Sequence, residues 1–301
     1  LTPTLRATGL ALALVSATAY GLNISYARLA SFAGIQGTTI IFWRVFLMLA
    51  LAAGVLALTR ASLRVAAGER MALVLLGVTT AVVGTAYLSS VAFVPVTVAV
   101  VIFYTFPVLV VLLSPFVDGR ALTPLRFLIA LVAFAGVALV VGPVSEGLDW
   151  RGLVLAGIAS LGAAAQFFAA ARLVETPTAP KILWVHVAVL PVVAAICLAT
   201  GTLQSPVVLA AAPFAVAVTI LAYVLAFALQ LAALARLPAA VAGLVFCAEP
   251  VVAALSAMLV LGETMSLVQA FGGLLVVGAI VANVTSERAP APAAAPEKAV
   301  A

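Results

Sequence analysis

Charge is scarce in this sequence. Only 8% of its 301 residues are Asp, Glu, Lys or Arg, where a water-soluble domain carries about a quarter. Two thirds of the chain is apolar and the mean hydropathy is +1.36. A surface built from such residues cannot be wetted, so lipid has to be the solvent. Histidine occurs once and cysteine twice, with Cys197 and Cys247 both inside apolar runs. Neither cysteine reads as half of a disulfide or a metal site, and no metal ligand set or cofactor motif is found. No span carries paired carboxylates and no phosphate-binding motif is present, which argues against an intramembrane enzyme with catalytic residues. Rings of like residues or a filter sequence would have suggested a channel; neither is found. The net charge of +5 comes from basic residues placed singly in short gaps between apolar runs. That spacing does not make a nucleic-acid groove.

Those apolar runs can be counted. A helix crosses the hydrocarbon core in roughly 20 residues. Breaks at charges, prolines and glycines predict ten spans, at 8–27, 37–58, 71–93, 96–116, 124–142, 152–171, 182–200, 207–235, 239–261 and 266–284. The first has the length of a signal peptide, but it recurs later in the chain and is therefore read as a span. Junctions at Pro95 and Pro238 are tight and predict close hairpins; the alternative fuses either pair into one long helix. With the N-terminus in the cytoplasm, eleven Lys and Arg fall on the cytoplasmic side and two, Arg28 and Arg151, on the other. This positive-inside bias predicts that both termini are cytoplasmic. Residues 286–301, rich in Pro and Ala, are expected to form a disordered tail.

The sequence also repeats itself. A shift of 143 residues places Pro95 on Pro238, Phe103 on Phe246, Pro107 on Pro250 and Gly119 on Gly262 without a gap. The expected domains are therefore 1–143 and 144–285, each with five spans. Five is odd, so the second half should enter the membrane from the opposite face. Inverted repeats of this kind belong to alternating-access transporters, whose substrate site lies near the midplane.

The second half carries Glu249-Pro250-Val251-Val252-Ala253-Ala254-Leu255, then Leu261-Gly262-Glu263, Gln269 and the run from Gly272 to Gly278. This pattern resembles the drug/metabolite transporter superfamily, in its ten-helix EamA-type branch. The first half holds a weaker copy, Phe106-Pro107-Val108, Gly119 and Ala135-Gly136, with Phe106 in place of Glu249 and Arg120 in place of Glu263. The resemblance spans residues 5 to 285. It implies a multi-pass protein of a bacterial inner membrane that exports a small metabolite. The overall pattern is similar to exporters of aromatic amino acids. Cationic drugs, sugars, nucleosides or passive facilitation are the alternatives. Coupling to protons stays open at this point.

Glu249 is the one acid deep within a predicted span. A charge at the bilayer centre costs roughly 2.5–3.5 kcal/mol on insertion scales, so its side chain is expected to face the bundle interior. There it would bind a substrate ammonium or couple a proton; the plainer reading is a protonated carboxyl bonded to the carbonyl that Pro250 frees. Arg44, beside Trp43, is expected to snorkel to the nearby interface; bidentate binding of a substrate carboxylate is the second reading. His186 reads as a hydrogen-bonded residue near a helix end, with a proton relay as the second reading. Asn23, Tyr87, Tyr104, Gln166, Tyr223 and Gln230 are polar groups in lipid and should point inward. Phe103 and Phe246 beside these tyrosines would suit a ring-bearing substrate. Pro107 and Pro250 are expected to kink equivalent helices. Gly272, Gly273 and Gly278, with Ala135 and Gly136, form small-residue stripes expected to let two helices approach closely.

Overall fold

A computed structural model describes residues 3–142 and 148–286. Among them the chain forms twelve α-helices and no strand: α1 Pro3–Ser31, α2 Gly37–Thr59, α3 Arg70–Ser90, α4 Val96–Phe103, α5 Phe106–Val117, α6 Pro124–Val141, α7 Trp150–Ala171, α8 Thr178–Ala199, α9 Pro213–Leu234, α10 Ala239–Phe246, α11 Ala248–Leu261 and α12 Leu267–Ser286. Ten stretches are long and apolar enough to cross a membrane, because α4 with α5, and α10 with α11, each make up one span. The tight junctions are hairpins: Pro95 and Pro238 sit at the N-terminal caps of α4 and α10 in the same extended conformation. The fused-helix alternative does not occur. The expected boundary at 143/144 and all of the expected tail beyond Ser286 lie outside the described residues.

Two expectations need correction. The span expected at 207–235 starts later, at Pro213, and Pro206–Ala211 form a separate 3-10 turn. Pro213 has no N–H and is suited to a first helical turn. The kinks expected at Pro107 and Pro250 are complete breaks. The chain leaves the α-helix at Tyr104–Thr105 and again at Cys247. A proline cannot donate to the carbonyl four residues earlier and its ring clashes there, so the carbonyls of Phe103 and Phe246 lose their helical partners. These two carbonyls are equivalent in the 143-residue register. The matching glycines have the same explanation at the far ends: Gly119 and Gly262 both adopt positive φ, +67° and +69°, where the chain leaves α5 and α11. Side chains other than Gly are disfavoured there.

The helices pair across the repeat more than within it. α1 packs on α9, and its counterpart α7 packs on α3, the counterpart of α9; α2 meets α8, α6 meets α12, and α5 meets α10. Exchanging the halves reproduces these pairings except the last, since α4 and α11, the counterparts of α10 and α5, do not pack on each other to the same extent; the axis is therefore pseudo-two-fold. Two contacts display it at the atomic level. A Cβ on Gly9 would lie 2.8 Å from Leu237, and one on Gly152 would lie 2.7 Å from Val94; both residues of the second contact are the register equivalents of the first.

The small-residue stripes close α6 on α12. A Cβ on Gly136 would stand 2.8 Å from the Gly272 carbonyl oxygen, and one on Gly272 would stand 2.7 Å from that of Gly136. Backbone presses on backbone, so neither position has a flexible neighbour to yield. Gly136→Ala is expected to destabilise the folded protein by about 1–3 kcal/mol through overpacking. Gly278, with open space around it, should accept alanine without loss. Thermal unfolding of both variants in detergent checks this pair; equal midpoints would show that the crossing is looser than its geometry.

Hydrogen bonds between spans also run through buried polar side chains. Ser16 donates to the Ala226 carbonyl at 2.6 Å, and Ser25 and Ser256 share a hydrogen at 2.5 Å. At one end, the Glu69 carboxylate accepts backbone N–H groups from Val174, Glu175 and Thr176, tying the start of α3 to the α7–α8 connection. At the other, Asp149 caps α7 and forks onto Arg151, with contacts of 2.7–3.1 Å. The Arg151 hydrogen bonds hold the Asp149 carboxyl below its ordinary value.

Candidate functional site

Where the two broken spans meet the long helices, the structure gathers most of the polar side chains in the bundle. Arg44, on α2, is half-buried and turned inward. It donates to Asn23 Oδ1 on α1 at 3.1 Å, and its Cζ lies 4.4 Å from the centre of the Tyr223 ring on α9. This corrects the snorkelling expected from its place in the sequence. A guanidinium is weakly hydrated, flat and able to stack, so an aromatic face and an amide oxygen hold it better here than the interface would. Its Nε is buried and has no hydrogen-bond partner. A buried, unbonded donor on a charged group is costly.

Asn23 is held from the other side by donating to the Thr219 carbonyl at 2.6 Å. Tyr223 is held by His186 on α8, whose Nε2 lies 3.1 Å from the Tyr223 hydroxyl and whose Nδ1 lies 2.8 Å from the Ile182 carbonyl. His186 is fully buried, with Phe227 edge-on at 4.9 Å. It is thus hydrogen-bonded within its own helix and also across to α9, and it lies well inside α8 and not near the helix end where the sequence placed it.

Glu249 occupies the first turn of α11, just past the break in the ninth span. The Tyr104 side chain, from the equivalent break in the fourth span, lies beside its carboxyl, and Arg44 is near enough to act on it electrostatically. Among the described residues Arg44 and Glu249 form no direct ion pair. The Tyr104 hydroxyl is buried and makes no hydrogen bond of standard geometry. Gly21 fixes the depth of this turn: a Cβ there would lie 2.8 Å from the Glu249 carbonyl oxygen and 2.7 Å from Val252. The absence of a side chain at residue 21 is what lets α1 approach so closely.

Aromatic rings join the two breaks. Tyr87 meets Phe103 at 5.4 Å, Phe103 meets Phe106 at 5.5 Å, Phe106 meets Phe167 at 5.0 Å, and Phe167 meets Phe246 at 5.2 Å. Phe246 then meets Tyr20, whose ring stands edge-on to Tyr223. The arc therefore begins near Glu249 and Tyr104 and ends at the ring under Arg44. Tyr20 donates to Gln230 Oε1 at 2.8 Å.

Nearly all of the expected residues thus fall in one connected cluster, with two qualifications. Gln166 donates to Thr80 on α3 at 2.7 Å and serves as a hydrogen bond between α3 and α7. Phe246 and Tyr104 are buried and contribute ring faces and one hydroxyl. Tyr20 is a member not expected from the sequence, and Arg44 stands in the cluster instead of at the interface. Tyr20 stands three residues before Asn23, on the same face of α1, and that spacing is the signal that would have found it. Among the described residues no group of three or more His, Cys, Asp or Glu side chains could hold a metal ion. The cleft lined by Val111, Ser114, Arg120, Arg126 and Asn283 shares no residue with this cluster.

Comparison with known proteins bears on this arrangement twice. The model of the EamA-like transporter family matches residues 7–142 and again residues 150–285, so the family's unit occurs twice. One solved structure, described only as a crystal structure of a protein, superposes with a TM-score of 0.74 over 93% of this chain and 99% of its own, at 20% identity. That likeness concerns the fold. A search of curated proteins finds no match. With ten apolar spans, a family unit in each half and polar groups collected where the halves meet, this multi-pass membrane protein belongs to the EamA-like transporter family.

Proposed function

We propose that this transporter is an alternating-access carrier of zwitterionic amino acids, with aromatic ones preferred, moving them out of the cell across a bacterial plasma membrane. The halves are inverted and both termini are cytoplasmic, in keeping with the distribution of Lys and Arg. Rocking about the pseudo-two-fold axis would expose the cluster first to one side and then to the other.

One observation carries the substrate class. Arg44 and Glu249 bring a guanidinium and a carboxyl group to the same cluster, and among the described residues they form no ion pair with each other. An α-amino acid carries the complementary pair, and it can bridge them. Its carboxylate would take the unbonded Arg44 Nε, since guanidinium is the cation best shaped for a carboxylate. Its ammonium would meet Glu249. The arc from Tyr87 to Tyr20 would receive an aromatic side chain, each edge-to-face contact adding about 0.5–1.5 kcal/mol.

Counterflow in proteoliposomes tests this reading. Unlabelled amino acids are loaded inside and uptake of labelled ones is followed. Saturable exchange is expected, fastest for Phe, Tyr and Trp, and competed by amino acids but not by the corresponding amines or carboxylic acids alone. Exchange of sugars, nucleosides or cationic drugs instead would overturn the substrate class. Linear, unsaturable flux would point to a passive pore.

A further inference from the structure

Side chains from α1 and α9 hold Arg44 of α2, and His186 of α8 holds one of those side chains, Tyr223. His186 is fully buried. Its Nδ1 faces a backbone carbonyl, that of Ile182 at 2.8 Å, and a carbonyl can only accept. Nδ1 must therefore carry the hydrogen. In the neutral imidazole the other nitrogen is then an acceptor, so the hydrogen between His186 Nε2 and the Tyr223 hydroxyl, 3.1 Å apart, belongs to tyrosine. A charged ring is disfavoured there, since the nearby charge is the Arg44 guanidinium, packed on the other ring of the pair. Two aromatic rings pack against His186, Phe227 at 4.9 Å and Tyr223 at 6.0 Å.

Two consequences follow for Tyr223. Its hydroxyl is spent on His186 and has only lone pairs left to offer. Its ring is pinned at the angle that supports Arg44 Cζ at 4.4 Å. The guanidinium, fixed by that face and by Asn23, then keeps Nε free of protein partners.

We propose that His186 is a specificity-determining positioning residue: by locking the Tyr223 hydroxyl as a donor and its ring beneath Arg44, it aims the guanidinium at the carboxylate of the transported molecule. The inference rests on the amino-acid reading above for the identity of the cargo. The hydrogen-bond polarity itself does not depend on it. His186 never contacts cargo and moves no proton in this role.

The chain holds a single histidine, so the test can be direct. Full-length protein is labelled with 15N-histidine, reconstituted in lipid and observed by NMR. One neutral ring with hydrogen on Nδ1 is expected, and Tyr223→Phe should shift the Nε2 resonance while leaving Nδ1 in place. A ring carrying hydrogen on Nε2, or on both nitrogens, would overturn the proposal. Counterflow supplies the second arm. Tyr223→Phe and His186→Leu should each raise the half-saturation concentration for a neutral amino acid about tenfold, with maximal rates per folded carrier within about twofold, and the double variant should be no worse than either, as for two members of one unit. His186→Gln, whose amide oxygen can still accept from Tyr223, should recover most of the affinity. Multiplying effects in the double variant, or a fall in maximal rate with half-saturation unchanged, would reduce His186 to a packing residue. If amino acids are not exchanged at all, the substrate reading fails while the NMR result still decides the polarity.

Discussion

Glu249→Gln is expected to reduce amino-acid exchange by about a hundredfold or more while leaving a folded carrier. Removing one member of a buried, hydrogen-bonded charge pair typically costs 2–5 kcal/mol, and here the pair forms only when the substrate ammonium arrives. The amide keeps the size and one acceptor of the carboxyl but not its charge. The backbone of this turn is held independently: Gly21 packs against the Glu249 carbonyl, and Ser25 donates to the Ala253 carbonyl at 2.9 Å. A folding defect would therefore be surprising, and size-exclusion behaviour in detergent is the control. Initial rates of counterflow over a range of substrate concentrations give the answer. Wild-type exchange in the variant would mean that the side chain serves the broken helix, in the way a protonated carboxyl beside a freed carbonyl would.

Arg44→Lys should be nearly as damaging, with about a tenfold to hundredfold loss of affinity for substrates that carry a carboxylate. The substitution keeps the charge and loses everything else the site uses. An ammonium has no Nε, presents no flat face to the Tyr223 ring, and cannot hold Asn23 Oδ1 while reaching a second acceptor in the same plane. This variant separates the two roles open to an arginine near a helix end. A snorkelling residue works through charge and length, and lysine replaces it without loss. An arginine stacked on tyrosine is not replaceable in that way. Half-saturation concentrations for an amino acid and for its amide derivative, measured side by side, make the test specific. The penalty should be confined to the acid.

Much of this was legible in the order of residues. Ten spans follow from where charges interrupt apolar runs, because an unpaired charge in lipid is too costly to be placed casually. The repeat is visible through Pro95 and Pro238, Pro107 and Pro250, Gly119 and Gly262. Each of these residues has a local conformational job, capping a half-helix, breaking a span or leaving one through positive φ. Such jobs survive in sequence because no neighbour can do them. Glu249 stood out for the same reason, as a lone acid in an apolar run.

Arg44 shows where that reasoning stops. Nothing within its own helix distinguishes an arginine turned to the interface from one turned to the core. The choice is made by the Asn23 amide and the Tyr223 ring, which arrive from α1 and α9. The same holds for His186, whose own helix supplies Ile182 but whose purpose lies in Tyr223, and for Tyr20, which acquires its role from Gln230. The sequence by itself determined the solvent, the number of crossings, the repeat and the two prolines at which spans deviate, though not that they break there, since all of these are set by interactions of a segment with lipid or with its own backbone. Which side chains meet at the centre was decided only by the tertiary structure, because side-chain direction in a membrane bundle depends on partners that other helices bring in, from 21 residues away for Asn23 and Arg44 to 210 for Tyr20 and Gln230.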